Sequence, residues 1–249
     1  MSSGPRTTCW TDKPATHTTS AEFPVLPASE VTYQDLKDMF DLHLDPGRGL
    51  IEISQAPRLR VPESLEGEFA EELVSLAHSP ENVDGCYFDT RTLLFHCLRE
   101  EMCFAGHNFS YSTLFATPKL HLDLAVTHKG IRKTLTAGLD YQMRLAEDEV
   151  APVFVVLQAK SPNTLSMCLA ECLTAMAMAH EIRKKQGYQS TDIYGVVADG
   201  RGIEFLRIGE DTKWCLWRPH RDWGPQTKDK IYTVLRLIIR DTARSASCQ

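Results

Sequence analysis

Between Leu165 and about Gln186 the sequence predicts a helix whose body, Leu165 to Ala179, is apolar nearly all round and rich in Ala and Met. A helix with no polar face must be buried between layers, so this one has to lie against a sheet. Ser161-Pro162-Asn163-Thr164 supplies turn and cap residues before it, while Arg183-Lys184-Lys185 and Gly187 suit its C-terminal end. Immediately upstream, Phe154-Val155-Val156-Leu157 is a run of β-forming residues, expected of a strand buried on both faces. That strand finishes in Gln158-Ala159-Lys160, two polar side chains spaced to share one face. An amide and an ammonium at the end of a buried strand need either water or a site to satisfy them.

The rest of the chain supplies further strands and flanking helices. Ile193–Ala198, the turn Asp199-Gly200-Arg201-Gly202 and Ile203–Ile208 predict a hairpin. Earlier, Phe109–Phe115 and Leu120–Val126 read as two strands joined through Ala116-Thr117-Pro118-Lys119; the second carries Asp123 in its middle, with His121 on the same face. His121 there reads either as a phosphate contact or as a satisfied core histidine. The 34 residues between Asp123 and Gln158 exceed a simple strand connection, which makes residues 127–150 a peripheral insertion.

Pro62 to Ala77 predicts a helix on Leu65, Phe69, Leu73 and Leu76; Glu72 borders that stripe and Glu68 lies one turn before it. Glu72 is either an ordinary boundary residue or one that reaches an acidic site. Shorter signals give a helix near Tyr33–Leu42, a turn at 45–49, strands at Leu50–Ile53 and Cys86–Phe88, and a helix over 91–104. Trp214, Trp217 and Trp223 fall in an irregular stretch before a closing helix, Lys228–Arg240, built on Ile231, Leu235 and Ile238. Residues 1 to about 28, rich in Ser, Thr and Pro, read as a disordered tail, leaving 29–249 as one α/β domain.

A formal net charge of −6 argues against indiscriminate binding to nucleic acid but leaves room for a local basic surface. Lys129, Arg132, Lys133, Arg183 and Lys184 are the candidates for one, against the plainer reading that such clusters are solvated faces. Eight cysteines without disulfide-framework spacing suit reduced thiols, and Met1–Arg6 lacks the apolar core of a signal peptide. No apolar run approaches the roughly 20 residues that cross a bilayer. The expectation is an intracellular protein, nuclear or cytoplasmic, with no membrane partner. Cys97, Cys103 and His107 have zinc-like types without a close pair, and core cysteines explain them better.

The order of helix with acids, strand, Asp-bearing strand, Gln-x-Lys strand, apolar helix and strand resembles the core of the PD-(D/E)XK nuclease superfamily. The Gln-x-Lys variant is similar to that of Mrr-like restriction enzymes, and the Tyr194–Gly200 stretch to Crinkler-type nuclease domains. The resemblance covers about residues 63–208 and implies a restriction-endonuclease-like αβββαβ core, a central mixed sheet flanked by helices, and a C-terminal helix. It implies Mg²⁺ or Mn²⁺ held by Asp123 and Gln158, with Glu72 or Glu68 as further acids, and Lys160 beside a metal-bound water. Asp123, Gln158, Lys160 and Glu72 are thus the expected catalytic residues of a DNA-favouring phosphodiesterase. An inactive fold of the same kind, binding nucleic acid, a protein partner or a second copy, is the alternative.

Overall fold

A computed structural model describes residues 23–47, 59, 97, 114–145, 154–158, 165–188, 190–198, 203–219 and 225–247. Among them one mixed sheet runs through eight strands: β1 (Val25–Pro27), β2 (His43–Leu44), β3 (Leu114–His128), β4 (Ile131–Leu145), β5 (Phe154–Gln158), β6 (Ile193–Ala198), β7 (Ile203–Ile208) and β8 (Lys213–Trp217). The helices are α1 (Tyr33–Phe40), α2 (Leu165–Gln186) and α3 (Pro225–Ser247). The sheet order is β1-β4-β5-β6-β7-β8-β2, with β3 paired to the other edge of β4.

The apolar helix behaves as its composition demands. Its residues 172–180 are all buried, and α2 lies across β3, β4, β5, β6 and β7. It joins β5 to β6, which run parallel, as a crossover helix should. Gly195 on β6 shows how close the layers come: a Cβ there would sit 2.3 Å from Met176 Sδ and 3.1 Å from Cys172 Sγ. Only glycine lets the strand approach the helix this closely. The helix ends at Gly187, whose φ of 77° is the left-handed value a C-terminal glycine takes, and Tyr188 N–H reaches back to Arg183 O at 3.2 Å.

All six residues of β6 are buried, so a second layer covers the face away from α2. On that face Tyr194 donates its hydroxyl to Asp241 of α3, with the Arg207 guanidinium 5.7 Å from the Tyr194 ring centroid. The apolar row of α3, from Ile231 through Leu235 to Ile238, is buried as its periodicity predicts, and the helix extends beyond the expected Lys228–Arg240 at both ends. Cys97 is helical and fully buried. No described helix is long and apolar enough to cross a membrane.

Four sequence expectations change. The stretch Ala116–Lys119 is not a connection: β3 is one strand of 15 residues, paired through it, with Pro118 opposite Tyr141. Pro118 fits because β3 is an edge strand among the described residues, where a missing N–H is tolerated. The expected insertion 127–150 is not peripheral over 127–145, since 131–145 form β4, which bridges β3 on one edge and β5 on the other; 146–150 lie outside the described residues. Trp214 and Trp217 lie in β8 rather than an irregular stretch, Trp214 stacked on Tyr33 of α1 at 5.8 Å between centroids. Val25–Pro27, assigned to the tail, instead pairs parallel with Thr134–Thr136. The strands and helix expected over 50–88, most of the tail, and Trp223 lie outside the described residues.

Candidate functional site

The chain places the end of β5 in a fork. The edge of β4 opposite β3 is shared by two partners, β1 along Thr134–Thr136 and β5 along Tyr141–Met143. Residues 137–140 lie between them, and β5 runs toward that gap to finish at Gln158. β5 and β6 are also parallel, so Gln158 and Ala198 lie at neighbouring carboxyl ends, where open α/β sheets gather ligand groups.

Asp123 does not come from the strand beside Gln158. It sits on β3, opposite Thr136, and β4 stands between β3 and β5. Continuing the β4–β5 register puts Gln158 level with Leu139, whose partner on β3 is Leu120. Two strand spacings and three residues along the strand separate the Asp123 and Gln158 backbones by roughly 14 Å. That is too far for one Asp and one Gln side chain to share an ion whose oxygen bonds are about 2.1 Å. Asp123 is exposed, together with His121, Ala125 and Thr127, on the face turned away from Leu122, Leu124 and Val126. His121 is therefore not a core histidine; its ring lies over Gly138 of β4, 3.6 Å from where a Cβ would be.

The acid nearest Gln158 along β4 is Asp140, but the register sets the two on opposite faces of the sheet. Asp140 is half-buried on β4, one residue before Tyr141, which pairs with Val156. One further step of the same register sets Asp140 across from Leu157, about 6 Å from the Gln158 backbone, so Asp140 shares a face with Leu157 while Gln158 shares one with Leu139. The sequence signal was present: Leu135, Ala137 and Leu139 alternate inward, all at most 3% exposed, and 17 rather than 34 residues separate Asp140 from Gln158. Lys160, Glu68 and Glu72 lie outside the described residues.

The donor set suits a hard cation only in part. Asp140 offers a carboxylate and Gln158 a neutral amide oxygen, the oxygen chemistry Mg²⁺ and Mn²⁺ take, with a single formal charge between them. Among the described residues no group of three or more His, Cys, Asp or Glu side chains converges.

The five expected nucleic-acid contacts divide. Lys129, Arg132 and Lys133 gather at the tip of the β3–β4 hairpin, with Lys129 and Arg132 exposed and Lys133 half-exposed. Lys184 is exposed near the end of α2. Arg183 is not a surface cation: only 1% exposed, it donates Nε and Nη2 to Ser190 O at 3.2 and 2.9 Å and lies 4.4 Å from the Tyr188 ring centroid. Its charge holds the chain as it leaves α2. Arg236, on α3, is likewise buried, near Tyr232.

A buried polar knot anchors the hairpin tip to α1. Asp35, at the third position of α1, closes a capping box with Thr32: its Oδ2 accepts from Thr32 Oγ1 at 2.6 Å and from Thr32 N at 3.0 Å. Its Oδ1 faces His128 Nε2 at 2.9 Å and Lys129 Nζ at 3.4 Å. The Thr32 hydroxyl first, and then the Thr32 amide, His128 and Lys129, hold the Asp35 carboxyl well below the usual carboxylate range despite its burial.

No model of a known protein family matches the chain, and no curated protein matches it.

Proposed function

We propose that this chain is a metal-dependent phosphodiesterase acting on nucleic acid, DNA favoured, in the nucleus or cytoplasm, with the acid of its site supplied by Asp140. The observation that carries the reading is the order of the described elements. Two antiparallel strand pairs in succession, β3–β4 and β4–β5, lead through α2 into a parallel β6, and an acid on the middle strand lies beside the Gln158 end of the third. The same order of elements is what the resemblance to the PD-(D/E)XK superfamily implies; with Asp123 out of reach, Asp140 is the nearest acid on a neighbouring strand, and from the opposite face of the sheet it would meet Gln158 only beyond the end of β5. Asp140 and Gln158 would hold the metal, with Glu68 or Glu72 adding charge. Such an ion polarises a phosphate and lowers the pKa of bound water. Lys160 would orient the attacking water or offset charge developing on the phosphate oxygens.

Purified protein with Mn²⁺ should nick plasmid DNA, and Asp140→Ala and Lys160→Ala should each lower the rate at least about 100-fold. Asp123→Ala should stay within about threefold of wild type. Equal cleavage by wild type and Asp140→Ala would remove this site from the chemistry. The second reading, a non-cleaving module that binds through the same fold, is favoured by one feature: Gln158 stands where an acid would double the charge of the site. Gln158→Glu separates the two, since a gain in Mn²⁺-dependent cleavage supports the hydrolytic reading.

A further inference from the structure

We propose that the tip of the β3–β4 hairpin is a wedge for duplex nucleic acid, with Ile131 entering the minor groove and Lys129, Arg132 and Lys133 gripping the flanking phosphates. This rests on the nucleic-acid part of the reading above but not on cleavage. Four features of the tip point to it. The loop is two residues long: His128 pairs with Ile131, while Lys129 and Gly130 have φ of 52° and 78°, the pattern of a type I′ turn. Glycine, Asn or Asp ordinarily takes the first of those positions, so a lysine there is held in a backbone conformation that its side chain disfavours.

The apolar row of β4 also overruns the core. Leu135, Ala137 and Leu139 are buried, yet Ile131, on the same side of the strand, is 57% exposed. The tip is moreover free of acids, because no Asp or Glu occurs between Asp123 and Asp140 in a chain of net charge −6. The carboxylate that does face it, Asp35, is buried and already met by His128 and Lys129, and the Lys129 side chain remains 73% exposed. Finally, the Arg132 guanidinium lies 4.9 Å from the Phe23 ring centroid, which braces an exposed cation on the arm.

An apolar side chain ringed by Lys and Arg is how minor-groove proteins pry apart a base step while neutralising the backbone. The side chains of a two-residue turn are narrow enough to enter a groove of about 6 Å.

The test is fluorescence anisotropy of the full chain, without metal, on a 20-base-pair A·T-rich duplex carrying 2-aminopurine. Ile131→Ala should weaken binding about 10-fold and abolish the 2-aminopurine increase that reports unstacking, while Ile131→Leu keeps both. Arg132→Gln with Lys133→Gln should weaken binding on every sequence and reduce the slope of log K against log salt by about 2. An exposed Ile should leave the thermal midpoint unmoved, so loss of binding will not reflect unfolding. Unchanged binding and unstacking in Ile131→Ala overturns the proposal, as does wild type that binds anionic phosphatidylserine vesicles but no duplex. Cleavage that persists while the tip variants bind like wild type sinks the wedge alone. Tip-dependent binding without cleavage sinks the hydrolytic reading alone.

Discussion

The sheet contains two hairpins built to opposite ends. β6 and β7 are buried on both faces, so nearly every side chain between Ile193 and Ile208 in those strands is packed between layers. β3 and β4 run fifteen residues each, and β3 is wet on one face over 121–127: His121, Asp123, Ala125 and Thr127 are exposed where Leu122 is buried. The centre of the sheet tolerates change only at the cost of packing, whereas the arm is free to vary its outer face and tip. The difference separates what the fold requires from what it presents to a partner.

That contrast can be broken most directly at Phe205. Fully buried on β7 and 5.3 Å from the Trp217 ring, it should cost about 3–5 kcal/mol as Phe205→Ala in chemical denaturation. Ala125→Ser on the outer face of β3 should move stability by less than about 0.5 kcal/mol. Comparable losses at the two positions would erase the distinction. Gly195→Ala should cost about 1–3 kcal/mol, since the added methyl meets Met176 in the closed layer between β6 and α2.

Two titrations sharpen the same comparison. Asp35, beneath the arm, has a folded pKa depressed below its unfolded value of 3.8. Its unfolded state therefore binds more protons, so its contribution is present above that value and is lost as pH falls from about 5 through the folded pKa. Asp35→Asn should cost about 1–2 kcal/mol at pH 7 and flatten the acid limb of a melting-temperature profile below pH 5. An unaltered limb would detach the arm from the knot around Asp35.

His180, buried within α2, has its pKa lowered below 6.5, mainly by burial and then by Lys184. Here too the unfolded state takes up the proton first, so stability falls as pH drops through about 6.5. His180→Gln should shrink the stability change between pH 7.5 and 5.5 by up to about 1 kcal/mol. A profile unchanged by the substitution would show that His180 does not titrate differently on folding.

The parts legible in the sequence were those where one force dominates. The helix Leu165–Gln186 and its Gly187 cap, the hairpin after it and the apolar run of β5 follow from hydrophobic periodicity and turn chemistry alone. The arm was harder because its signals conflict. Pro118 mimics a break, and Ala137 and Gly138, poor strand formers, weaken the alternation that Thr134, Leu135 and Thr136 begin, so β4 read as an excursion. Losing β4 made Asp123 the nearest acid on an expected strand upstream of Gln158 and hid Asp140, because strand adjacency is set by pairing and not by proximity in sequence. Arg183 misled for a similar reason: its charge looks like surface, but its donors satisfy a backbone carbonyl inside the fold.

The central proposal is that Asp140, reaching the end of β5 from the opposite face of the sheet, and not Asp123, supplies the acid of the site. Calorimetric titration of Mn²⁺ into wild type, Asp140→Ala and Asp123→Ala tests it without relying on turnover. Asp140→Ala should weaken Mn²⁺ binding by at least about 10-fold, near 1.4 kcal/mol, while Asp123→Ala matches wild type within about twofold. The reverse ranking, or no Mn²⁺ uptake by the wild type, would contradict the account.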